Sequence, residues 1–389
     1  MKYNFDEVID RSSNRSSKYD ERVKKFGTAD VIPLWVADMD FRTAQPIIDA
    51  CKAKAEEGIW GYTSRPDSYF QAVQDWEVRR NHWKPDTALM RWSLGVVPAL
   101  SAIVKLFSND GDKVLIQTPV YSEFYDVVEA WDRTVVENKM VEENDHWHID
   151  FADFEAKVKE CSIFLLCNPH NPIGKVLTRE EMLRLSDLAA KYDVRIFSDE
   201  IHAPFVYQGH THVPFASINR QTAMQAFTST SASKSFNIPG TKCAQVILTN
   251  PDDLELWMRN AEWSEHQTAT IGAIATTAAY DGGAAWFEGV MAYIERNIAL
   301  VNEQMRTRFA KVRYVEPQGT YIAWLDFSPL GIGDPANYFF KKANVALTDG
   351  RECGEVGRGC VRMNFAMPYP LLEECFDRMA VALEADGLL

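Results

Sequence analysis

The sequence predicts an α/β protein: a large domain built on a mostly parallel sheet, followed by a smaller α+β unit. Three observations carry that expectation. Between residues 95 and 250, short apolar runs bounded by turn residues alternate with segments of helical periodicity, which implies doubly wound βα units. The runs are apolar throughout, as strands covered on both faces of a parallel sheet are. The 389 residues are 46% hydrophobic and 25% charged, so burial can offset the ordering entropy of most of the chain. At roughly 100–200 residues per domain, the length allows two domains, or one large domain with an appendage.

Taken in order, residues up to about 19 are polar and rich in serine (Ser12, Ser13, Ser16, Ser17) and are expected to form a surface arm. An apolar and then acidic stretch follows, Val31-Ile32-Pro33-Leu34-Trp35-Val36-Ala37-Asp38-Met39-Asp40. Strands are expected at residues 114–117, 162–167, 194–198, 226–230 and 244–249. One helix opens at Pro98, a residue suited to the first helical position. Another opens on a capping box of Thr178 and Glu181, with Met182, Leu185, Leu188 and Ala189 at helical spacing. Residues 286–312 read as one long helix, with Trp286, Val290, Ile294, Ile298, Val301, Met305 and Phe309 on one stripe; such a helix suits a bridge between domains. Residues 319–326 and 360–365 look like strands of the smaller unit, and a final helix runs over about 370–383.

Composition excludes several function classes. Lys and Arg total 41 and Asp and Glu 55, a net charge of −14, so the basic footprint of a general nucleic-acid binder is missing and anionic lipid would repel the chain. Residues 1–10 carry three acids and no apolar core of a secretory signal. No uncharged apolar run approaches the roughly 18 residues that span a bilayer. The seven cysteines are odd in number, scattered and without a CxxC pair, which reads as reduced core thiols in a cytoplasmic protein. Two H-x-H pairs, His146/His148 and His210/His212, could share a strand face, but no cluster of Asp, Glu and Cys ligands accompanies them in sequence; they are expected in polar surface loops, and no metal site is expected.

Four clusters lie where strands end, the edge at which open α/β sheets bind ligands. Asp199, in Phe197-Ser198-Asp199-Glu200-Ile201-His202, leaves a buried strand and needs a partner; a helix cap or an arginine would also serve. Lys234 sits among Ser231, Ser233 and Ser235; burial would turn it into an amine nucleophile, and a surface lysine in a polar loop is the plain alternative. The same letters match Ser-x-x-Lys of penicillin-binding enzymes, but the companion motifs are absent. Asn168-Pro169-His170-Asn171-Pro172-Ile173-Gly174 makes a tight turn that either holds an amide rigidly above the sheet or is merely a turn. Tyr121, in Thr118-Pro119-Val120-Tyr121, either stacks on a flat ligand or packs in the core. Upstream, Gly95-Val96-Val97-Pro98 leads into a helix whose free N–H groups suit an anion.

Together these stretches resemble the fold-type I family of pyridoxal-phosphate enzymes, the class I/II aminotransferases and relatives, and within it the cystathionine β-lyase/cysteine-S-conjugate β-lyase branch. Matching segments run nearly end to end, in order: residues 35–41, Gly61-Tyr62, Gly95-Val96-Val97-Pro98, Thr118-Pro119-Val120-Tyr121, Asn168-Pro169-His170-Asn171-Pro172, residues 198–202, Ser233-Lys234 and residues 360–365. The resemblance implies the transferase fold of that family: a mostly parallel seven-stranded large domain at 46–285, an N-terminal arm at 1–45 belonging to the small domain, and a linker helix with the small domain at 286–389.

It further implies that Lys234 bonds covalently to pyridoxal phosphate, that Asp199 pairs with the ring nitrogen, that Asn171 and the supporting His202 sit near the phenolic oxygen, and that Tyr121 stacks on the ring. The amides of Val96 and Val97, the hydroxyls of Ser231 and Ser233, and Lys242 are the phosphate donors; relatives often carry Arg at the Lys242 position. Tyr62 would reach the phosphate of a neighbouring subunit, which requires a homodimer, and the small residues 268–279 allow close helix packing at or near that interface, a buried helix within the domain being the equal alternative. Arg362 would clamp the carboxylate of an amino-acid substrate, with the Ala37 backbone, Tyr121 and Asn171 beside it. On its strand Arg362 shares a face with Asn364. The implied reaction is β-elimination of a thiolate, giving pyruvate and ammonia, with Lys234 as the base. An aminotransferase would use the same residues; a regulatory protein-binding role is the alternative from another class.

Overall fold

The computed structural model describes residues 3–260 and 268–389. Met1 and Lys2 of the stretch read for a signal, and residues 261–267 of the expected large domain, lie outside the described residues. The strands in chain order are β1 (Ile32–Pro33), β2 (Met90–Ser93), β3 (Lys113–Thr118), β4 (Thr134–Glu143), β5 (His146–Ile149), β6 (Cys161–Cys167), β7 (Arg195–Asp199), β8 (Ala226–Thr230), β9 (Ala244–Leu248), β10 (Arg313–Tyr314), β11 (Ile322–Asp326), β12 (Val345–Ala346), β13 (Thr348–Asp349) and β14 (Cys360–Asn364).

The large sheet has the order β2-β9-β8-β7-β6-β3-β4-β5. Its centre, β8-β7-β6-β3-β4, is parallel. β9 runs against both its neighbours. The expected count of seven strands is therefore corrected to eight among the described residues, because β5 folds back antiparallel on β4. The five apolar runs read from sequence became β3, β6, β7, β8 and β9. Those passed over, β2, β4 and β5, lie at or near the sheet margins, where β4 interleaves Glu, Asn and Lys with its apolar residues and so lacks a continuous apolar run.

Alternation along the central strands shows why those runs are apolar on every residue. Val114, Ile116, Ile163, Leu165 and Phe197 pack in one core with the helix Val96–Phe107, while Leu115, Phe164, Leu166 and Ile196 pack in a second core on the other face. The helix Val96–Phe107 starts two residues before Pro98, with Gly95 as its cap. The capping box of Thr178 and Glu181 is present in full at the head of helix Arg179–Lys191.

The long helix, Ala284–Thr307, is shorter at its end than expected. Its buried Asn297 donates to the carbonyls of Phe365 and Met367, both at 2.8 Å, tying it to the segment after β14. β14 belongs to a four-stranded antiparallel sheet of order β10-β11-β14-β13, next to helices Pro335–Ala343 and Tyr369–Ala385. β1 pairs with β12 in a separate two-stranded sheet, and the Asn364 N–H of β14 donates to the Leu34 carbonyl at 3.0 Å, bringing the N-terminal segment to the four-stranded sheet.

Two surface expectations are corrected. The polar arm is not wholly on the surface: Lys18 is 1% exposed, because two acids of the following segment hold its ammonium. His212 is buried and 3.0 Å from Glu200 Oε2, whereas His210 is exposed; His146 and His148 lie exposed on β5, a strand and not a loop. Among the described residues, no cluster of three or more metal-ligating side chains occurs, and no helix is long and apolar enough to cross a membrane.

Candidate active site

The parallel strands end at one edge, and there Thr118, Cys167, Asp199 and Thr230 conclude β3, β6, β7 and β8. A cavity of about 650 Å³ opens above them, lined by residues of both sheets and of the N-terminal segment. Of the residues singled out from sequence, Ala37, Val96, Val97, Tyr121, Asn171, Asp199, His202, Ser233, Lys234, Lys242 and Arg362 all line it.

Lys234 lies on the one-turn helix Ala232–Ser235 that follows β8, and its Nζ donates to the Ala37 carbonyl at 2.6 Å. Burial and the nearby Arg362 guanidinium push its pKa down to about 8, partly opposed by Asp38 and Asp199. The neutral amine is therefore accessible near neutrality. Asp199 is buried, and its Oδ1 accepts the Ile201 N–H at 3.0 Å. Burial pushes its pKa up to about 7, against the pull of that N–H and of Lys234. Such a carboxyl is a charge waiting for a cationic partner.

Asn171 is buried after a turn held by Asn168, whose Oδ1 accepts the Leu177 N–H at 3.0 Å. His202, 2% exposed, packs edge-on against Tyr321 at 5.6 Å and is held neutral by burial and by the cations Lys234 and Arg362. Asn171 Oδ1 and His202 Nδ1 are buried with no hydrogen-bond partner among the described residues. Buried polar atoms of this kind need a partner. At the head of helix Val96–Phe107, the N–H groups of Val96 and Val97 have no intrahelical acceptor, and Lys242 shares that cavity.

Arg362 on β14 donates through Nη2 to the Trp35 carbonyl at 2.9 Å and to Thr348 Oγ1 at 3.3 Å. Its guanidinium carbon stands 5.9 Å from the centre of the Tyr121 ring. Asn364, on the same face, donates to the carbonyls of Val36 and Asp38 at 2.7 and 2.6 Å. Both side chains thus grip the segment that roofs the cavity.

The donor set fits pyridoxal phosphate. A protonated ring nitrogen would satisfy Asp199, a phenolic oxygen would meet the Asn171 side chain, and the helix head with Lys242 suits the phosphate. Ser231 and Tyr62 lie outside the lining of this cavity. The Ser231 hydroxyl donates to the Cys243 carbonyl at 2.7 Å and accepts from the Ser233 N–H, capping the short helix. Tyr62 is fully exposed and lines a second cavity with Thr63 and Thr270.

The profile of the family described as aminotransferase class I and II matches residues 30–379. The chain belongs to the class I and II aminotransferase family. Within that family it is 36% identical over 387 residues to "Cystathionine beta-lyase PatB" of Bacillus subtilis (strain 168), covering 98% of this chain and 100% of that one. It is 33% identical to "Protein MalY" of Escherichia coli (strain K12), covering 96% of both. Its fold is similar to cystalysin from Treponema denticola, which contains a pyridoxal 5′-phosphate cofactor, with a TM-score of 0.95 and 31% identity over 99% of this chain and all of that one.

Several residues in or behind the cavity of this family member escaped sequence reasoning. Thr348 lies on a two-residue strand whose register sets it opposite Arg362, a pairing with no local sequence signal. Tyr321 donates to the Ala37 carbonyl at 3.0 Å, the atom that also accepts from Lys234. Glu123, two residues after Tyr121, and Glu352 line the same cavity. Only the Tyr121–Glu123 adjacency was available from sequence.

Proposed function

We propose that this chain is a pyridoxal-phosphate-dependent carbon–sulfur β-lyase acting on L-cystathionine or related cysteine S-conjugates, with pyruvate, ammonia and a thiol as products. The observation that carries the reading is the meeting of Lys234, Asp199 and Arg362 in one cavity between the two sheets. The near full-length likeness to a cystathionine β-lyase supports elimination over amino transfer.

The residues divide the work. Arg362 binds the substrate α-carboxylate with a planar fork, beside the Ala37 backbone, Tyr121 and Asn171. Pyridoxal phosphate, when bound, supplies an electron sink for the pair left at Cα. Asp199 holds a proton at the ring nitrogen, and Asn171 and His202 stand at the phenolic oxygen. The helix head at Val96 and Val97, with Ser233 and Lys242, anchors the phosphate. Lys234 Nζ takes the Cα proton, and the sulfur then leaves Cβ with its bonding pair. His202 stays neutral through burial and the nearby cations Lys234 and Arg362, so it adds no further positive charge to the cavity.

We further propose a homodimer with a shared active site. The full exposure of Tyr62, with Ile59 and Trp60 exposed on the same segment, supports it. The division at 1–45, 46–285 and 286–389 and a cytoplasmic location complete the proposal; seven free thiols suit a reducing compartment.

The test is incubation with pyridoxal phosphate and L-cystathionine, without any 2-oxo acid. Sustained pyruvate and thiol release supports the lyase. Turnover only after a 2-oxo acid is added overturns it in favour of an aminotransferase.

A further inference from the structure

The roof of the cavity, residues 35–40, is anchored from outside by a charge knot that the chemistry above does not use. Asp38 and Asp40 face two cations from the polar arm. Lys18 Nζ donates to Asp40 Oδ2 at 2.7 Å and to the Asp38 carbonyl at 3.3 Å. Arg11 donates to Asp38 Oδ2 at 2.7 Å, to Asp40 Oδ1 and to the Met39 carbonyl at 3.2 Å. Arg11 also lies over the Tyr19 ring, 4.8 Å from its centre. Two cations meet two acids, so the knot is neutral as a whole. Lys18 and Asp40 are almost fully buried, 1% and 4% exposed.

The segment held this way sets two active-site side chains through its main chain. The Trp35 carbonyl orients Arg362, and the Ala37 carbonyl orients Lys234. We propose that Lys18 and Arg11 are positioning residues of this enzyme: by neutralising Asp38 and Asp40 they keep residues 35–40 seated, and through Trp35 they aim Arg362 at the substrate carboxylate. Loss of one cation leaves a buried acid uncompensated, and the segment lifts to hydrate it. Removing a cation and an acid together leaves no surplus charge, so the segment stays down.

The inference rests on the lyase reading for its kinetic arm only. The variants are Lys18→Met, Arg11→Met, the conservative Arg11→Lys and the double Lys18→Met/Asp40→Asn, all in the full chain. Hydrogen exchange, with and without pyridoxal phosphate, reads the amides of Leu34, Met39 and Asp40, which donate to Ala346 O, Asn237 Oδ1 and Ala366 O. Lys18→Met and Arg11→Met should speed exchange there at least about tenfold and leave β6, β7 and β8 protected. With L-cystathionine, KM should rise about tenfold and kcat change by less than about threefold, the mark of lost substrate positioning. Arg11→Lys and the double variant should recover most of both effects.

Faster exchange throughout the chain, an unchanged segment, or a loosened segment with unchanged KM would each overturn the inference. If the wild-type protein releases no pyruvate from any S-conjugate, the lyase reading fails alone. The exchange arm, with KM for whichever amino acid the enzyme does turn over, then still decides the role of the knot.

Discussion

Asp199 should cost the cofactor-free protein stability that the bound cofactor restores. Its carboxyl is 6% exposed and accepts a single backbone N–H, from Ile201. Burial lifts its pKa from 3.8 to about 7. At about 1.4 kcal/mol per unit, that difference is roughly 4 kcal/mol. The folded value lies above the unfolded one, so the folded state binds this proton more tightly. Below about pH 4 both states are protonated and no stability is lost. As the pH rises toward about 7 the unfolded chain ionises first, and the fold loses stability progressively; above about 7 the loss is complete.

Asp199→Asn cannot ionise, and its side-chain carbonyl can still accept the Ile201 N–H. The cofactor-free variant should therefore melt above wild type at about pH 8 and level with it near pH 4. With an unfolding entropy of about 2.1 cal/mol/K per residue over 389 residues, 4 kcal/mol corresponds to about 5 °C. Calorimetry or tryptophan fluorescence across that pH range reads the gap. Turnover of the loaded enzyme should move the other way, falling about 10²-fold or more, because the proton at the ring nitrogen loses its ionised partner. A cofactor-free variant that melts at or below wild type at about pH 8, or a gap that does not change with pH, would refute the reasoning.

Three further outcomes follow from the same geometry. Covalent loading of pyridoxal phosphate onto Lys234, followed by borohydride trapping, should quicken as pH rises through about 8, the amine's own value, and not through about 10.4 as for an exposed lysine. Arg362→Lys should raise KM for L-cystathionine about 10- to 100-fold in steady-state assays, because a point charge cannot serve Trp35 O, Thr348 and a carboxylate with one fork. Thr178→Ala should lower stability in denaturant melts by about 1 kcal/mol through loss of the capping box, with KM unchanged, since helix Arg179–Lys191 contributes nothing to the cavity.

Much of this protein is legible in its sequence, and for a local reason. Strands buried on both faces need apolar residues at every position, so β3, β6, β7, β8 and β9 stand out as uninterrupted runs, and the chemistry at their ends stands out with them. Asp199, Asn171, Tyr121 and Lys234 each follow or close such a run, and motif order carried their roles. The capping box of Thr178 and Glu181 is equally local, since both partners lie within one helical turn. The margins were not legible: β4 mixes charges, and β5 histidines, with apolar residues because fewer of their positions face a core. The resemblance implies Ser231 as a phosphate donor; the bond from its hydroxyl to the Cys243 carbonyl, 12 residues away across the β8–β9 pair, has no local sequence signal.

Tertiary structure alone decided the rest. Lys18 falls in an arm expected at the surface, and only folding brings that arm against Asp38 and Asp40 of the roof and removes water from between them. Lys234 and Ala37 are 197 residues apart, and Arg362 and Trp35 are 327 apart, yet hydrogen bonds join both pairs. Which residues carry chemistry is written in short stretches, because a strand end and its turn are short. How strongly each side chain is desolvated, and which distant carbonyl aims it, depends on burial by parts of the chain far away in sequence, which no local window contains.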